Sequence, residues 1–476
     1  MRPSALVRAA FLCGVFAVAW GALAFGAVYP WAHWTLAALC VAAAAVAFAG
    51  TAGGAPGLSP ALRWALTALG AAIILQLVPL STDLLQMVSP RTPTALRDFY
   101  PVFAITPRAH PLSINPEETC VGLALFAVLA FFLGGMTRVA GTIGARPLAL
   151  CISLLGVALA LFGIIQAPFY AGRIYGFWTP EMPGTPFGPF VNKNHFAGWM
   201  LMGMPLALGL VFADLTRRAR TMPAAWRDRV LWLSSPEASR FVLSVAGVMV
   251  MSLSLVLTMS RSGIAAMAVS LVVFGGFVIA ARQSPTRMKV AAGVALGVLA
   301  VAVVSWASLD VILARFSELD GRAISVRQGA WADAWRVAAA FPAAGTGLNT
   351  YGTSMLLYQQ HDLARHYAEA HSDFLQLAAE GGALLIIPAL VCAGVFARDV
   401  RAAFRRPQGD TVYWIRAGAV TGLVAICLQE TVEFSLQMPG NAALFALMCG
   451  VALHTAPREA DVARRTRRRH TESKVS

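Results

Sequence analysis

Residues 241–281 read FVLSVAGVMVMSLSLVLTMSRSGIAAMAVSLVVFGGFVIAA, and this stretch decides the fold class. It holds two apolar runs, 241–259 and 263–281, and its single charged residue, Arg261, lies between them. A helix that crosses a bilayer needs about 20 apolar residues, and each run is close to that length. We therefore predict two transmembrane helices joined by a very short turn, with Arg261 at the membrane boundary.

The composition of the whole chain agrees with this reading. Of its 476 residues, 58% are hydrophobic and 13% are charged, and the mean hydropathy is +0.66. A water-soluble domain has roughly 25% charged residues, so an ordinary soluble enzyme and a disordered chain are both excluded. The seven cysteines lie in or beside apolar stretches and no loop contains a pair, which supports neither a disulfide framework nor a zinc site.

The apolar pattern predicts an all-α polytopic membrane protein with about 12 transmembrane helices. The predicted spans are 9–28, 31–49, 64–80, 119–137, 147–168, 196–213, 241–259, 263–281, 290–308, 374–397, 412–429 and 440–455. Residues 1–308 would hold spans one to nine with outer loops at 81–118 and 169–194, 309–372 a large periplasmic loop, 373–456 the last three spans, and 457–476 a basic cytoplasmic tail.

The distribution of charge predicts the orientation. The chain has 37 Lys and Arg against 23 Asp and Glu, a formal net charge of +14. If the N-terminus is cytoplasmic and the spans alternate, 26 of the 37 basic residues fall on the cytoplasmic side. Cytoplasmic loops of membrane proteins are enriched in Lys and Arg, so we predict that both termini are cytoplasmic. The same bias explains the positive charge without a nucleic-acid partner.

The 309–372 loop has a helical pattern of its own. Apolar residues follow helical spacing at Ile324, Trp331, Ala334, Trp335, Ala338 and Phe341, and Pro342, Gly345 and Gly347 would end the helix. A helix with two Trp residues on its apolar stripe suits the membrane–water interface. Ordered loops of this length are usually functional.

Two arginines on the outer side are candidate phosphate ligands. Arg261 opposes the positive-inside bias, and Arg327 shares a helix face with Trp331. A guanidinium is a permanently charged fork that fits phosphate oxygens, although either side chain could instead reach lipid headgroups. Arg322 is a neighbour that the sequence does not separate from Arg327.

His371 is the candidate base. It lies in AHSDFLQLAAE (370–380), where Ser372 or Asp373 would cap the tenth span. A helix N-terminus disfavours imidazolium, which keeps a neutral base at pH 7, although a lone histidine is more often structural. His361 and His366 precede it at five-residue spacing, which on a helix does not place the three on one face, so we expect no zinc site.

A third group of polar residues begins the sixth span. Lys193, Asn194 and His195 could donate to sugar hydroxyls or phosphate, or Asn194 could simply cap the helix. Glu430 and Glu433, between the last two spans, could bind a sugar or pair with an arginine.

Together these segments resemble the O-antigen ligase and Wzy-type polymerase superfamily of bacterial membrane glycosyltransferases. The resemblance lies in FVNKNHFA (190–197), SRSG (260–263), Arg327 with Trp331 followed by Pro342-x-x-Gly345-x-Gly347, and His371-Ser-x-x-Leu375 with Glu380. The segments occur in the family's order around one large outer loop. The long 81–118 loop has no assignment from this resemblance.

The resemblance implies an enzyme of the bacterial inner membrane with a periplasmic active site. It would be a metal-independent, inverting transferase that moves a glycan from undecaprenyl pyrophosphate to an acceptor hydroxyl, with no cofactor. His371 would be the catalytic residue, and the substrate-binding set would be Arg261, Arg327, Arg322, Lys193, Asn194, His195 and Glu380. The expected partners are the lipid-linked donor, a lipid or glycan acceptor and membrane lipids.

Three activities within the superfamily stay open: O-antigen ligation, polymerisation of repeat units and protein O-glycosylation. Two readings of a different class also stay open. A transporter or flippase would bind the same polyprenyl-linked sugar without making a bond, and Gly-Gly pairs at 134–135, 275–276 and 381–382 would permit the helix breaks that it needs. A structural or assembly subunit would use the outer loops only to bind a partner.

Overall fold

The computed structural model describes residues 3–51, 54, 56–106, 108–181, 184–219, 235–281 and 321–455, with isolated positions between 286 and 297. Within these residues the chain is helical, and β pairing is limited to isolated bridges such as Leu80 with His110. The predicted all-α class is confirmed. Most of the predicted ninth span (290–308), the start of the large loop and the basic tail lie outside the described residues.

The helices follow the predicted spans closely. They are α1 Ala5–Leu23, α2 Pro30–Gly50, α3 Pro60–Leu75, α4 Thr82–Val88, α5 Thr92–Phe99, α6 Pro101–Ile105, α7 Pro116–Ile143, α8 Ala145–Gln166, α9 Lys193–Ala219, α10 Pro236–Leu257, α11 Arg261–Ala280, α12 Gly321–Ala340, α13 Tyr351–Tyr358, α14 Asp373–Arg405, α15 Asp410–Gln429 and α16 Pro439–Leu453. Short 3₁₀ turns lie at Phe25–Ala27, Ala167–Phe169 and Ser435–Gln437.

The expected number of twelve spans is not confirmed. Nine helices of the described part are long and apolar enough to cross a membrane. The apolar helices α3 and α16, at two further predicted spans, are shorter, with 16 and 15 residues. For α3 the prediction extended too far, because the helix ends at Leu75 and a turn follows at residues 76–78.

Helix α9 is the centre of the bundle. Most of its length is buried, and Trp199 has no exposed surface. Its closest neighbour is α15, where a Cβ atom on Gly209 would lie 2.5 Å from the Trp414 carbonyl oxygen. A Cβ on Gly418 would likewise collide with the Pro205 carbonyl oxygen, so the two backbones approach each other only because both positions are glycine.

Residues of the 81–118 and 309–372 segments form a second, smaller core at one end of the bundle. Helices α4 to α6 occupy the 81–118 loop, and Ala95 and Ile114 from this loop pack with Phe341 and Tyr351. Ile114 also donates its N–H to the Thr346 carbonyl at 2.8 Å. The 81–118 loop therefore supports helices α12 and α13.

Helix α14 is broken near this end. Gly382 has φ +52°, and the following residues Ala383 and Leu384 donate to the carbonyls of Pro342 and Ala343. The turn 342–347, which ends α12 as predicted, thus replaces the missing helical acceptors. Of the three Gly-Gly pairs, 381–382 does interrupt a helix. The backbone N–H groups that the break leaves without helical acceptors donate to the neighbouring 342–347 turn.

The pattern of burial on α12 differs from the predicted stripe. Ala330, Ala334, Val337 and Phe341 are buried, whereas Trp335 is 66% exposed. Trp331 is half-buried and turns toward the 371 segment. The two tryptophans therefore have different environments, because α12 packs on α14 and α13 through its alanines and Val337 rather than through its indoles.

Candidate active site

Four segments that are distant in sequence meet at the carboxylate of Glu433. Its Oε1 accepts a hydrogen bond from Arg327 Nη2, a second from Asn194 Nδ2 at 2.9 Å and a third from Ser262 Oγ at 3.4 Å. These donors belong to α12, α9 and α11. The segments that carry Arg261, Arg327 and Asn194 are therefore brought to one place, at the end of the bundle that α12 and α13 cover.

The Arg327 side chain is paired with Glu433 but remains partly exposed to solvent. Its ion pair with Glu433 uses one guanidinium nitrogen, and its side chain remains 35% exposed, whereas that of Glu433 is 1% exposed. No second acceptor for this guanidinium occurs among the residues that the structure describes. The remaining N–H groups of the guanidinium can therefore bind an anion that approaches from the exposed side of the side chain.

His371 lies directly before α14 in an unusual backbone conformation. Its φ of +51° is in the left-handed region, which costs a non-glycine residue free energy and is often found at functional sites. Its carbonyl accepts a hydrogen bond from Trp331 Nε1 at 3.1 Å, and its ring packs edge-on against Phe434, with centroids 4.9 Å apart. Ser372 caps α14 through the N–H of Leu375, as one of the two predicted caps.

The electrostatic surroundings keep His371 neutral. Burial lowers the pKa of its imidazole, and the nearby positive charge of Arg327 lowers it further, to about 4. Nδ1 is buried and has no hydrogen-bond partner within the described part of the chain. A neutral imidazole with an unused nitrogen can accept a proton at pH 7.

The loop before His371 is fixed by a buried carboxylate on α12. Asp333 accepts from the backbone N–H groups of Gln360 and His361, each at 3.0 Å, and pairs with the His361 ring at 2.8 Å. These contacts lower the pKa of Asp333, although burial opposes them. The conformation of the 359–371 segment is thus tied to the helix that carries Arg327.

Two further carboxyl groups lie beside the ion pair. The Glu430 carboxyl group interacts with that of Asp373, and Gln437 Nε2 donates to Asp373 at 3.2 Å. Burial, followed by the Asp373 charge, raises the pKa of Glu430 to about 10, so it keeps its proton at pH 7. Burial also raises the pKa of Glu433, and Arg327 opposes that shift.

The polar cluster predicted at the start of α9 contributes only some of its residues to this site. Asn194 binds Glu433, and its own N–H is held by the Asn192 side chain at 2.9 Å. The His195 ring is buried against Phe434, with centroids 4.8 Å apart, so Phe434 lies between two imidazoles. Lys193 is the first residue of α9 and is half-buried.

The other predicted site residues differ in position. Arg261 is the first residue of α11, next to Ser262, whose hydroxyl reaches Glu433. Glu380 lies further along α14, where its carboxylate accepts from the N–H groups of Asn349 and Tyr351 at 2.8 and 3.0 Å. The side chain of Arg322 lies outside the described residues. Of Arg261, Glu380 and Arg322, Arg261 is the one whose sequence neighbour, Ser262, contacts Glu433.

The sequence leaves open whether Glu433 binds a sugar or pairs with an arginine, and it does not mark Ser262, Asp373 or Phe434 as site residues. The structure pairs Glu433 with Arg327. The sequence does offer a signal for Asp373, because it lies two residues after His371 and begins a helix. For Phe434 no signal was available, since an apolar residue in a short loop usually packs in a core.

Residues 246–390 match the family model described as O-antigen ligase. This segment contains Arg261, Arg327 and His371 and ends before Glu430, and it begins after the 190–197 stretch. The match confirms the resemblance to the O-antigen ligase superfamily and supports a multi-pass membrane enzyme of the ligase and polymerase kind. No curated protein matches the chain.

Proposed function

We propose that this chain transfers a glycan from undecaprenyl pyrophosphate to an acceptor hydroxyl at the periplasmic face of a bacterial inner membrane. One observation supports this most directly: a partly exposed guanidinium, that of Arg327, and a neutral imidazole, that of His371, share one site and are connected through Trp331. An anion-binding group beside a base is what displacement of a pyrophosphate by a hydroxyl needs.

In the proposed reaction the acceptor oxygen attacks the anomeric carbon of the donor sugar. The bond from that carbon to the pyrophosphate oxygen breaks, and undecaprenyl pyrophosphate leaves with both electrons. Arg327, with Arg261 at the adjacent helix start, stabilises the charge that develops on the leaving oxygen. Since the attack comes from the face opposite the leaving group, the configuration at the anomeric carbon inverts.

His371 takes the proton of the attacking hydroxyl. Its pKa of about 4 means that nearly all of the enzyme has a neutral imidazole at pH 7. A positioned general base contributes about 10²–10⁴ in rate, and its efficiency rises as its pKa approaches the working pH. The low pKa therefore places His371 at the lower end of this range. Two fixed guanidinium groups supply the electrostatic stabilisation, so the proposed mechanism has no step that requires a metal ion.

An apolar cavity approaches this site from the side of α2 and α7. Its walls include Leu36 and Cys40 of α2 and Leu125 and Leu129 of α7. Gln437, which donates to Asp373, lines the same cavity. A slot between membrane-spanning helices that ends near polar residues suits a lipid chain whose head lies at the site.

The proposal is tested in a strain that lacks this chain, by comparing its surface glycans on a gel after complementation. Wild type should restore the missing glycan, whereas His371→Ala, Arg261→Ala and Arg327→Ala should not, although each variant is present in the membrane at the wild-type level. Normal glycan from all three variants contradicts the proposal. Transport of a lipid-linked sugar across liposomes with no product formed would instead support a flippase.

A further inference from the structure

We infer that the Glu433 carboxylate is a resident anion that occupies the donor's phosphate subsite between turnovers. The ligands of this subsite are Arg327, Asn194 and Ser262, and the donor pyrophosphate replaces the carboxylate on them. The inference rests on the proposed function. It adds Ser262 as a direct ligand of the leaving group, assigns Asn194 to the phosphate rather than to a sugar hydroxyl, and names a competitor built into the chain.

The contacts of a single oxygen atom support this assignment. Glu433 Oε1 accepts hydrogen bonds from a guanidinium, an amide and a hydroxyl, and each donor belongs to a different helix. Arginine binds carboxylates and phosphates with the same hydrogen-bonding fork, so a position that is suited to a carboxylate oxygen is also suited to a phosphate oxygen.

The second carboxylate oxygen shows that Glu433 fits this position only in part. Oε2 is buried and has no hydrogen-bond partner in the part of the chain that the structure describes. Burial also opposes the ionised form of this side chain, and raises its pKa. A pyrophosphate has more oxygen atoms and more negative charge, so its exchange for the carboxylate is favourable.

The subsite can be reached from outside the protein. The Arg327 side chain is 35% exposed, and the Ser262 and Asn194 residues are half-buried rather than enclosed. An incoming anion can therefore contact the guanidinium before Glu433 leaves. In the reverse direction, the return of Glu433 to Arg327 helps to release the product undecaprenyl pyrophosphate.

Inorganic pyrophosphate is the probe for the test, added to the purified full-length chain in detergent and followed by calorimetry. Glu433→Gln keeps the size of the side chain and removes its charge. We expect pyrophosphate to bind this variant about tenfold more tightly than wild type, or better, since one charge-assisted competitor is lost. In the Glu433→Gln background, Asn194→Ala and Ser262→Ala should each weaken pyrophosphate binding severalfold.

Asp214→Asn is the matched control, because it neutralises another arginine-paired carboxylate, which lies near the opposite end of α9 and pairs with Arg146 and Arg217. It should leave the pyrophosphate affinity unchanged. If Glu433→Gln does not fold, Glu433→Asp withdraws the charge from the subsite, and the same tighter binding is expected.

Two outcomes are distinguishable. If wild type binds pyrophosphate and Arg327→Ala does not, but the Glu433 variants bind it no more tightly than wild type, the resident-anion inference is overturned and the proposed function stands. If Arg327→Ala binds pyrophosphate as well as wild type, the leaving-group site itself is misassigned, and the proposed function fails with it.

Discussion

Trp331 donates a hydrogen bond from Nε1 to the backbone carbonyl of His371 at 3.1 Å. Because Trp331 lies one helical turn after Arg327 on α12, this bond links the position of the imidazole to that of the guanidinium. It also holds a carbonyl whose residue has φ +51°, a conformation that a short loop would not keep without support. The indole is thus a positioning group for the base.

Loss of this bond should slow transfer without unfolding the protein. Trp331→Phe keeps an aromatic ring and removes the donor, so His371 can shift, and a shift of about 1 Å can cost on the order of 10²-fold in rate. We expect transfer to fall about 10- to 100-fold in an assay of the purified protein. Trp335→Phe, at a 66% exposed position on the same helix, is the control and should keep the wild-type rate. Equal rates for both variants would contradict a positioning role.

The pH profile should report the neutral imidazole. A base works in its deprotonated form, and the pKa of His371 is lowered to about 4, so transfer should stay level as the pH falls from 7 toward 5 and then decline through about pH 4. In Arg327→Ala the charge that helps to lower this pKa is gone. The acid limb of the residual activity should therefore move to higher pH, toward the ordinary value of 6.5.

Arg365→Ala removes an exposed arginine from the loop before His371 and is the control for that shift. Its acid limb should coincide with that of wild type. An acid limb that stays in place in Arg327→Ala would contradict the contribution of the Arg327 charge to the pKa of His371.

The break in α14 should depend on glycine at position 382. A Cβ there would lie 2.7 Å from the Pro342 carbonyl oxygen, and φ is +52°, so Gly382→Ala is both crowded and strained. We expect Gly382→Ala to lower the free energy of unfolding, measured by thermal denaturation, by about 2 kcal/mol or more. Gly394→Ala lies on the same helix with no atom within 4 Å of the new Cβ, and it should be neutral or slightly stabilising. Similar losses for both variants would argue against the observed break.

At the opposite end of the bundle, Arg416 should be a major contributor to stability. It is 1% exposed and donates to the carbonyls of Ala403, Ala452 and His454, at the ends of α14 and α16. Each buried acceptor that is left unpaired costs about 1–3 kcal/mol, so Arg416→Met should lower the free energy of unfolding by at least about 3 kcal/mol. Arg401→Met, at an exposed position, should change it by less than about 0.5 kcal/mol. Equal stability of the two variants would contradict this assignment.

The sequence predicts the membrane architecture well, because the length of an apolar run is a local property. Eleven of the predicted spans coincide with apolar helices in the described part of the chain. The sequence also places His371 at a helix start, since Ser372 and the apolar residues that follow are a local signal.

The hydrogen-bond and ion-pair partners within the site could not be predicted from the sequence. Glu433 and Arg327 are 106 residues apart, and nothing local selects one arginine among many as the partner of a given carboxylate. The contacts of the Glu380 carboxylate with the backbone N–H groups of Asn349 and Tyr351 likewise follow from no local pattern. Both contacts arise from tertiary packing, which a single sequence does not encode in any local pattern.

The most direct test of the central claim uses purified protein, a labelled undecaprenyl-pyrophosphate-linked glycan and an acceptor, and measures the release of undecaprenyl pyrophosphate. Wild type and His366→Ala, which changes an exposed histidine of the same loop, should release it at equal rates. His371→Ala and Arg327→Ala should each be slower by about 10²-fold or more. Release by both of these variants at the wild-type rate would show that the imidazole and the guanidinium do not form the site of transfer.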